Sequence, residues 1–302
     1  MIESRRWFLI RSSRVAAALA TPWISRSAFS APFGLPAGIQ LYTVKEAMQE
    51  NPAGTLKKLR EIGFREVESA GFGKLSAKQF RGLLDEAGLA CPSAHLSFDM
   101  GNLGAAFDDA HALGAAYATS GSLPPILTGA KPTAGQPARS MSLEEAKRTA
   151  ELISRIGAAA KKAGLQYVYH NHDFEFADQG GSIGYDVLLR ETDADLVKFE
   201  IDCGWMIFAG RNPIDYFKKY PNRFPMIHVK DFLPAHDNGT LAGKAPMLGA
   251  ELGHGVVDYK PIFAAAKAQG LKHYFVEQEG PFSRMTPLQA AQVDYDYLHS
   301  IG

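Results

Sequence analysis

Residues 197–203 read Val197-Lys198-Phe199-Glu200-Ile201-Asp202-Cys203, and residues 226–230 read Met226-Ile227-His228-Val229-Lys230. In both, ionisable side chains fall at every second position among apolar ones. A period of two marks a strand, whose successive side chains point to opposite faces. Apolar spacing over 213–219 places a helix between the two runs. Strand, helix and strand in so short a span are the unit of a parallel sheet.

The same rhythm extends in both directions. Toward the C-terminus, a helix over 259–269 stops at Gly270, a strand covers 273–279 and a last helix fills 287–299. Toward the N-terminus, strand five covers 165–172, with a helix over 185–192 after it. Ser142 with Glu145 three residues on is a capping box, opening a long helix that ends at Gly164. Tyr117-Ala118-Thr119 is strand four, 90–97 strand three, Val67-Glu68 lies in strand two, and Gly38-Ile39-Gln40-Leu41-Tyr42 is strand one. Helices over 52–62, around Phe80, Leu83 and Leu84, and over 103–113 alternate with them, stopped by Gly63, Gly88 and Gly114. Eight such units in a row predict a single α/β domain, a (β/α)8 TIM barrel over 31–302. No G-x-G-x-x-G follows the first strand, so the phosphate signature of a dinucleotide fold is missing. Two long connections, 122–141 and 232–257, follow strands and are expected over the active-site face.

Lys+Arg and Asp+Glu both number 32, and the formal net charge is zero. Without a basic excess, nucleic acid is not an expected partner. Ser4-Arg5-Arg6-Trp7-Phe8-Leu9-Ile10, the apolar Val15–Ala20 and the small residues near Ala28–Ala31 resemble a twin-arginine signal peptide over 1–30. The expectation is a periplasmic protein starting near residue 31. The apolar run is too short for a membrane span, which needs ~20 residues. Cys91 and Cys203 read as two separate buried thiols.

Enzymatic barrels carry their chemistry at the C-terminal ends of strands. Here those ends hold Glu68, His95, His170-Asn171-His172, Asp202, His228 with Lys230, and Glu277 with Glu279. Buried charges cost several kcal/mol unless paired or bound to metal. A divalent cation answers that cost by coordinating several of them at once. Asp202 shares a face with Glu200, His228 with Lys230, and Glu277 with Glu279. Each strand thus aims two groups at one mouth. Carboxylates and imidazoles suit Mn²⁺, Mg²⁺, Zn²⁺ or Co²⁺. Such an ion orients sugar oxygens and stabilises charge developing next to a carbonyl.

Gly38–Tyr42, Tyr169-His170-Asn171-His172-Asp173-Phe174-Glu175-Phe176, Glu200-Ile201-Asp202, His228-Val229-Lys230-Asp231 and Phe275-Val276-Glu277-Gln278-Glu279 together resemble the xylose isomerase-like barrel superfamily. The closer likeness is to bacterial sugar phosphate isomerase/epimerase-like proteins. The resemblance implies one divalent metal, Mn²⁺ first, held from strands five to eight. Its ligands would be Glu175, Asp202, His228 and Glu277, with His170 or His172 as the alternative on strand five. It implies His172, Lys230 and Glu279 as acid/base groups, and Glu68, His95, His170 and Trp205 against the substrate. It also reaches a DNA-repair endonuclease family with a three-metal site. There a histidine stands three residues after the strand-six aspartate, where this chain has Trp205. The expected substrate is a non-phosphorylated sugar or keto-glycoside, converted by proton abstraction next to a carbonyl. The alternative is a periplasmic carbohydrate-binding barrel without turnover.

Overall fold

The computed structural model describes residues 32–121, 123, 140–233, 249–280, 282 and 284–302. The expected export segment 1–30 lies outside them, as do most of the connection 122–141 and the middle of 232–257.

Ten strands are present among the described residues: β1 (Gly38–Gln40), β2 (Glu66–Ala70), β3 (Ala90–His95), β4 (Tyr117–Ser120), β5 (Gln166–His170), β6 (Val197–Asp202), β7 (Met226–Val229), β8 (Asp231–Phe232), β9 (Gly249–Ala250) and β10 (His273–Val276). Eight of them close a barrel in the order β1-β10-β7-β6-β5-β4-β3-β2, and all eight pairings are parallel. Each barrel strand is followed by one of the expected helices, from Pro52–Ile62 after β1 to Pro287–Ile301 after β10. The capping box at Ser142 and Glu145 forms as read, and Ser76 with Gln79 and Thr286 with Gln289 repeat it.

Strand parity divides the apolar residues into two bodies. Ile39, Val67, Ala94, Ala118, Tyr167, Phe199, Ile201, Ile227, Val229, Tyr274 and Val276 point outward and pack under the helices in the main core. Inside the barrel, Val168, Met226 and Phe275 form a small separate plug. Gly38 makes room for it. A Cβ there would lie 2.6 Å from the Phe275 ring and 2.5 Å from the Tyr274 carbonyl oxygen. Further toward the strand ends the interior turns polar, and that polar layer is the site.

Two departures from the sequence reading bear on the site. Cys203 does not end strand six. It opens a short helix, Cys203–Phe208, because Asp202 accepts from the Trp205 N–H at 2.8 Å and caps it. Strand eight stops at Val276, and Glu277 and Glu279 lie just beyond it. The Glu277 N–H still bonds the Val229 carbonyl at 3.0 Å, so the carboxylate keeps its place beside β7. Both cysteines are free and buried. Burial pushes the Cys91 thiol up to about 12 and the Cys203 thiol well above its ordinary range, which suits inert thiols.

At the rim, β8 and β9 pair as an antiparallel ribbon. The Asp231 carboxylate accepts from the N–H groups of Phe232, Gly253, Gly255, Val256 and Val257, at 2.9–3.1 Å. Asp294, on the last helix, holds the same segment through the Leu252 N–H at 2.7 Å. Its second oxygen is buried without a hydrogen-bond partner among the described residues. Burial pushes its pKa up to about 8. A carboxyl with a raised folded-state pKa stabilises fully below its unfolded value of ~3.9 and loses that contribution as pH climbs through the folded value. Asp294→Asn keeps the acceptor and removes the titration. Denaturant unfolding at pH 5, 7 and 9 should show the variant gaining on the wild type by up to ~1.4 kcal/mol per pH unit. The gain should level off above pH 8.

Candidate metal centre and active site

The polar layer is built from strand ends. Asp202 divides its two oxygens. Oδ1 caps the helix Cys203–Phe208, and Oδ2 faces the barrel interior, 3.0 Å from Lys230 Nζ and 3.9 Å from His228 Nδ1. Asn171 fixes the height of Asp202 by accepting from its N–H at 3.1 Å. Gly204 lets the helix start against β7, since a Cβ there would lie 2.8 Å from Lys230 Cβ. Lys230 is clasped at its backbone by the Tyr259 hydroxyl, which accepts from its N–H at 2.6 Å and donates to its carbonyl at 2.7 Å.

The Lys230 ammonium, 1 % exposed, lies 2.8 Å from Glu277 and 2.6 Å from Glu279 as well. Burial opposes its charge, but the carboxylates of Asp202, Glu277 and Glu279 outweigh that and raise its pKa. Burial would likewise raise Glu277, yet Lys230 and His228 hold it well below the ordinary carboxylate range. His228 donates or accepts at Nδ1 with Glu277, 3.1 Å away. Burial opposes the His228 imidazolium, but Glu200 and Glu277 beside it raise the pKa well above its ordinary value.

Beneath this row lies a second. Glu68 is fully buried and takes hydrogen bonds from Gln40 at 2.8 Å, from Ser93 and from His228 Nε2 at 2.7 Å, with His95 Nε2 at 3.0 Å. Burial alone would raise Glu68, but His95 and His228 reverse this and hold it at about 2. Burial disfavours the His95 imidazolium, but Glu68 and Glu200 outweigh it and lift the ring to about 9. Glu200, which the sequence reading used only as a face-mate of Asp202, sits among three histidines. Burial first, then the Glu68 charge, raises its pKa.

The donor atoms of His170, Asp202, His228 and Glu277 all lie within 4.8 Å of one another, and so do those of His95, His170, Glu200 and His228. The first set fits a divalent ion. It offers two carboxylates and two imidazoles, and Asp202 Oδ2, ion-paired with Lys230, is buried with no hydrogen bond of good geometry among the described residues. His170 is thus the strand-five member, the alternative in the sequence reading. Glu175, the first choice there, is placed elsewhere. It lies in the turn Phe174–Phe176, accepts from the Tyr169 hydroxyl at 2.8 Å and the His172 N–H at 3.0 Å, and is fully buried. Burial pushes it up to about 7. Its oxygens fasten the loop that presents His172.

Above the donors opens a cavity of about 760 Å³ lined by Gln40, Tyr42, Phe72, His95, His170, His172, Glu277 and Glu279, among others. Two expected substrate contacts are not on its wall among the described residues. Glu68 is sealed below it by its own partners. Trp205 packs sideways, its ring under Lys230 Nζ at 4.9 Å and 6.1 Å from the His172 ring. Burial and the nearby Lys230 charge lower the pKa of His172, which favours the neutral ring.

A closed eight-strand parallel barrel with carboxylates and imidazoles at its C-terminal mouth holds its ionisable groups where barrel enzymes carry their chemistry. The chain belongs to the xylose isomerase-like TIM barrel family, which it matches over residues 56–299. It is similar to inosose dehydratase of Lacticaseibacillus casei, 29% identical over 163 residues, 51% of this chain and 54% of that one. It is 31% identical over 156 residues to inosose dehydratase of Clostridium perfringens, covering 49% and 52% of the two chains. The chain thus spans about half the length of these relatives. In structure it is similar to a sugar phosphate isomerase/epimerase from Parabacteroides distasonis, with a TM-score of 0.69 and 25% identity, over 87% of this chain and 93% of that one.

The Glu175 geometry makes a test. Glu175→Ala leaves a buried hydroxyl and a buried N–H unpaired, so urea unfolding should show a loss of roughly 2 kcal/mol. In a titration with Mn²⁺, Glu175→Ala should take up as much ion as the wild type, and His170→Ala should take up less.

Proposed function

We propose that the protein is a divalent-metal-dependent enzyme that removes the proton next to a carbonyl of a sugar or 3-keto-glycoside. The observation that carries this is the buried convergence of His170, Asp202, His228 and Glu277 directly beneath a cavity that His172 and Glu279 line. Mn²⁺ is the ion proposed, since two carboxylates and two imidazoles suit it. When bound, the cation supplies positive charge beside a carbonyl oxygen and so acidifies the neighbouring C–H.

The chain's own groups do the rest. Neutral His172 accepts the proton from carbon. It then gives that proton to a hydroxyl that leaves as water, which is elimination, or to the adjacent carbon while the neighbouring hydroxyl passes its own proton to the former carbonyl oxygen, which is isomerisation. Epimerisation would need a second acid on the opposite face of the substrate. Elimination is favoured, because the curated relatives named inosose dehydratase share about half their length with this chain. Lys230, hydrogen-bonded at 2.6 Å, fixes the Glu279 carboxylate at the cavity wall, where it accepts from substrate hydroxyls. Among the described residues no helix is long and apolar enough to cross a membrane. Export by the twin-arginine route to the periplasm is part of the same proposal, on the strength of residues 4–31.

The test is proton exchange in deuterated water, followed by NMR across a panel of sugars, cyclic polyol ketones and 3-keto-glycosides. Exchange next to the carbonyl should stop on chelation and return with Mn²⁺. His172→Ala should lower kcat by ~10²–10⁴-fold, the usual reach of a general acid–base group. Sugar binding with no exchange at any metal loading would replace the enzyme by a carbohydrate-binding barrel.

A further inference from the structure

The centre proposed above uses one edge of His228, the Nδ1 side facing Asp202 and Glu277. The other edge looks deeper into the barrel. His228 Nε2, His95 Nε2 and His170 Nδ1 lie 3.2, 3.3 and 3.1 Å from a single oxygen, Glu200 Oε2. These side chains come from β3, β5, β6 and β7, so the barrel wall itself sets their positions. Their burial is nearly complete.

Hydrogen bonding accounts for one contact of each ring nitrogen, His95 and His170 with Glu200 and His228 with Glu68, and leaves further close contacts over. A ring nitrogen carries at most one proton and aims it along one line. Yet His95 Nε2 lies 3.0 Å from Glu68 and 3.3 Å from Glu200, and His228 Nε2 lies 2.7 Å from Glu68 and 3.2 Å from Glu200. Only one contact of each pair has hydrogen-bond geometry. Nitrogens and oxygens spaced about 3 Å apart in this many-sided way are the arrangement of ligands around a common ion at ~2.0–2.2 Å. Glu200 Oε1 is an independent sign. It is buried with no hydrogen-bond partner among the described residues, although its own carboxylate is fully enclosed. A buried carboxylate oxygen left so costs free energy unless a cation answers it.

We propose that His95, His170, Glu200 and His228 form a second cation position, deeper than the Asp202–Glu277 centre, that takes a transition metal of the Zn²⁺ class. Three imidazoles and one carboxylate are a borderline-soft donor set, unlike the more oxygen-rich set above it. Glu68, fixed by Gln40 and Ser93, meets the same Nε2 atoms of His95 and His228 at 3.0 and 2.7 Å, contacts that the ion would replace. With both positions filled, His228 would offer one nitrogen to each, and both ring protons of its imidazolium would go to solvent. This position goes beyond the centre proposed for turnover and shares His170 and His228 with it.

The test uses the full chain, stripped of metal and titrated with Zn²⁺, with bound metal counted by elemental analysis. The wild type should bind two equivalents. Glu200→Gln and His95→Gln, on different strands, should each bind one, and Glu277→Gln should lose the other. A single equivalent that survives in both deep variants and disappears in Glu277→Gln overturns the second position and leaves the upper centre standing. A single equivalent with the opposite pattern supports the deep position and removes the upper one. No bound Zn²⁺ overturns both. Crystals of the wild-type chain grown with Zn²⁺ give a check that does not depend on variants folding. An anomalous peak between His95, His170 and Glu200 is expected, and no peak there overturns the proposal.

Discussion

Five carboxylates, those of Glu68, Glu200, Asp202, Glu277 and Glu279, meet at one end of a closed ring of strands, and only Glu279 has more than a tenth of its side chain exposed. Negative charge so enclosed must be answered from within the ring. Lys230 answers three of these groups at once, and His95, His170 and His228 surround the others. A lone ammonium at this depth would shed its proton, and a lone carboxylate would take one up. Neither population can be changed without shifting the charge state of the other. The barrel therefore carries its reactive groups as one electrostatic body, to which any bound cation is added as a further member.

Precision in that body comes from backbone contacts made just outside it. Asp202 serves a helix with one oxygen and the interior with the other. Asn171 ties the end of β5 to the start of the turn after β6, and Tyr259 holds Lys230 by both its amide groups. Glu175 does the same for the His172 loop. These residues are polar and buried, yet none of their atoms faces the cavity. They convert a strand end, which is loosely defined, into a fixed platform for the side chain beside it.

This distinction explains what could and could not be read from the chain. Alternation along Phe199–Asp202 and Ile227–Lys230 shows which groups share the barrel interior, because parity is a property of the strand alone. Depth is not. Glu68 and Glu200 carry the same side chain as Glu277, and only the stagger between neighbouring strands puts them a layer below the cavity. Glu175, expected on strand five with His170 or His172 as the alternative, lies apart from the clustered donors for a related reason: the turn Phe174–Phe176 directs its carboxylate back onto Tyr169. Trp205 read as a surface for a sugar, whereas the helix it belongs to, opened by an aspartate cap, lays the ring against Lys230. The eight-unit repeat needed no such third dimension and was legible throughout.

Asp231 leads to a different consequence. Its carboxylate gathers the amides of residues 232, 253 and 255–257, so the chain leaves the barrel beside Lys230 and returns to the same carboxyl group. The two feet of this excursion are tied together independently of what lies between them. Over evolution, the intervening stretch is then free to lengthen, shorten or change character without disturbing the ammonium next door. One acidic side chain thereby separates the part of the barrel that can be rewritten for a new substrate from the part that must stay as it is.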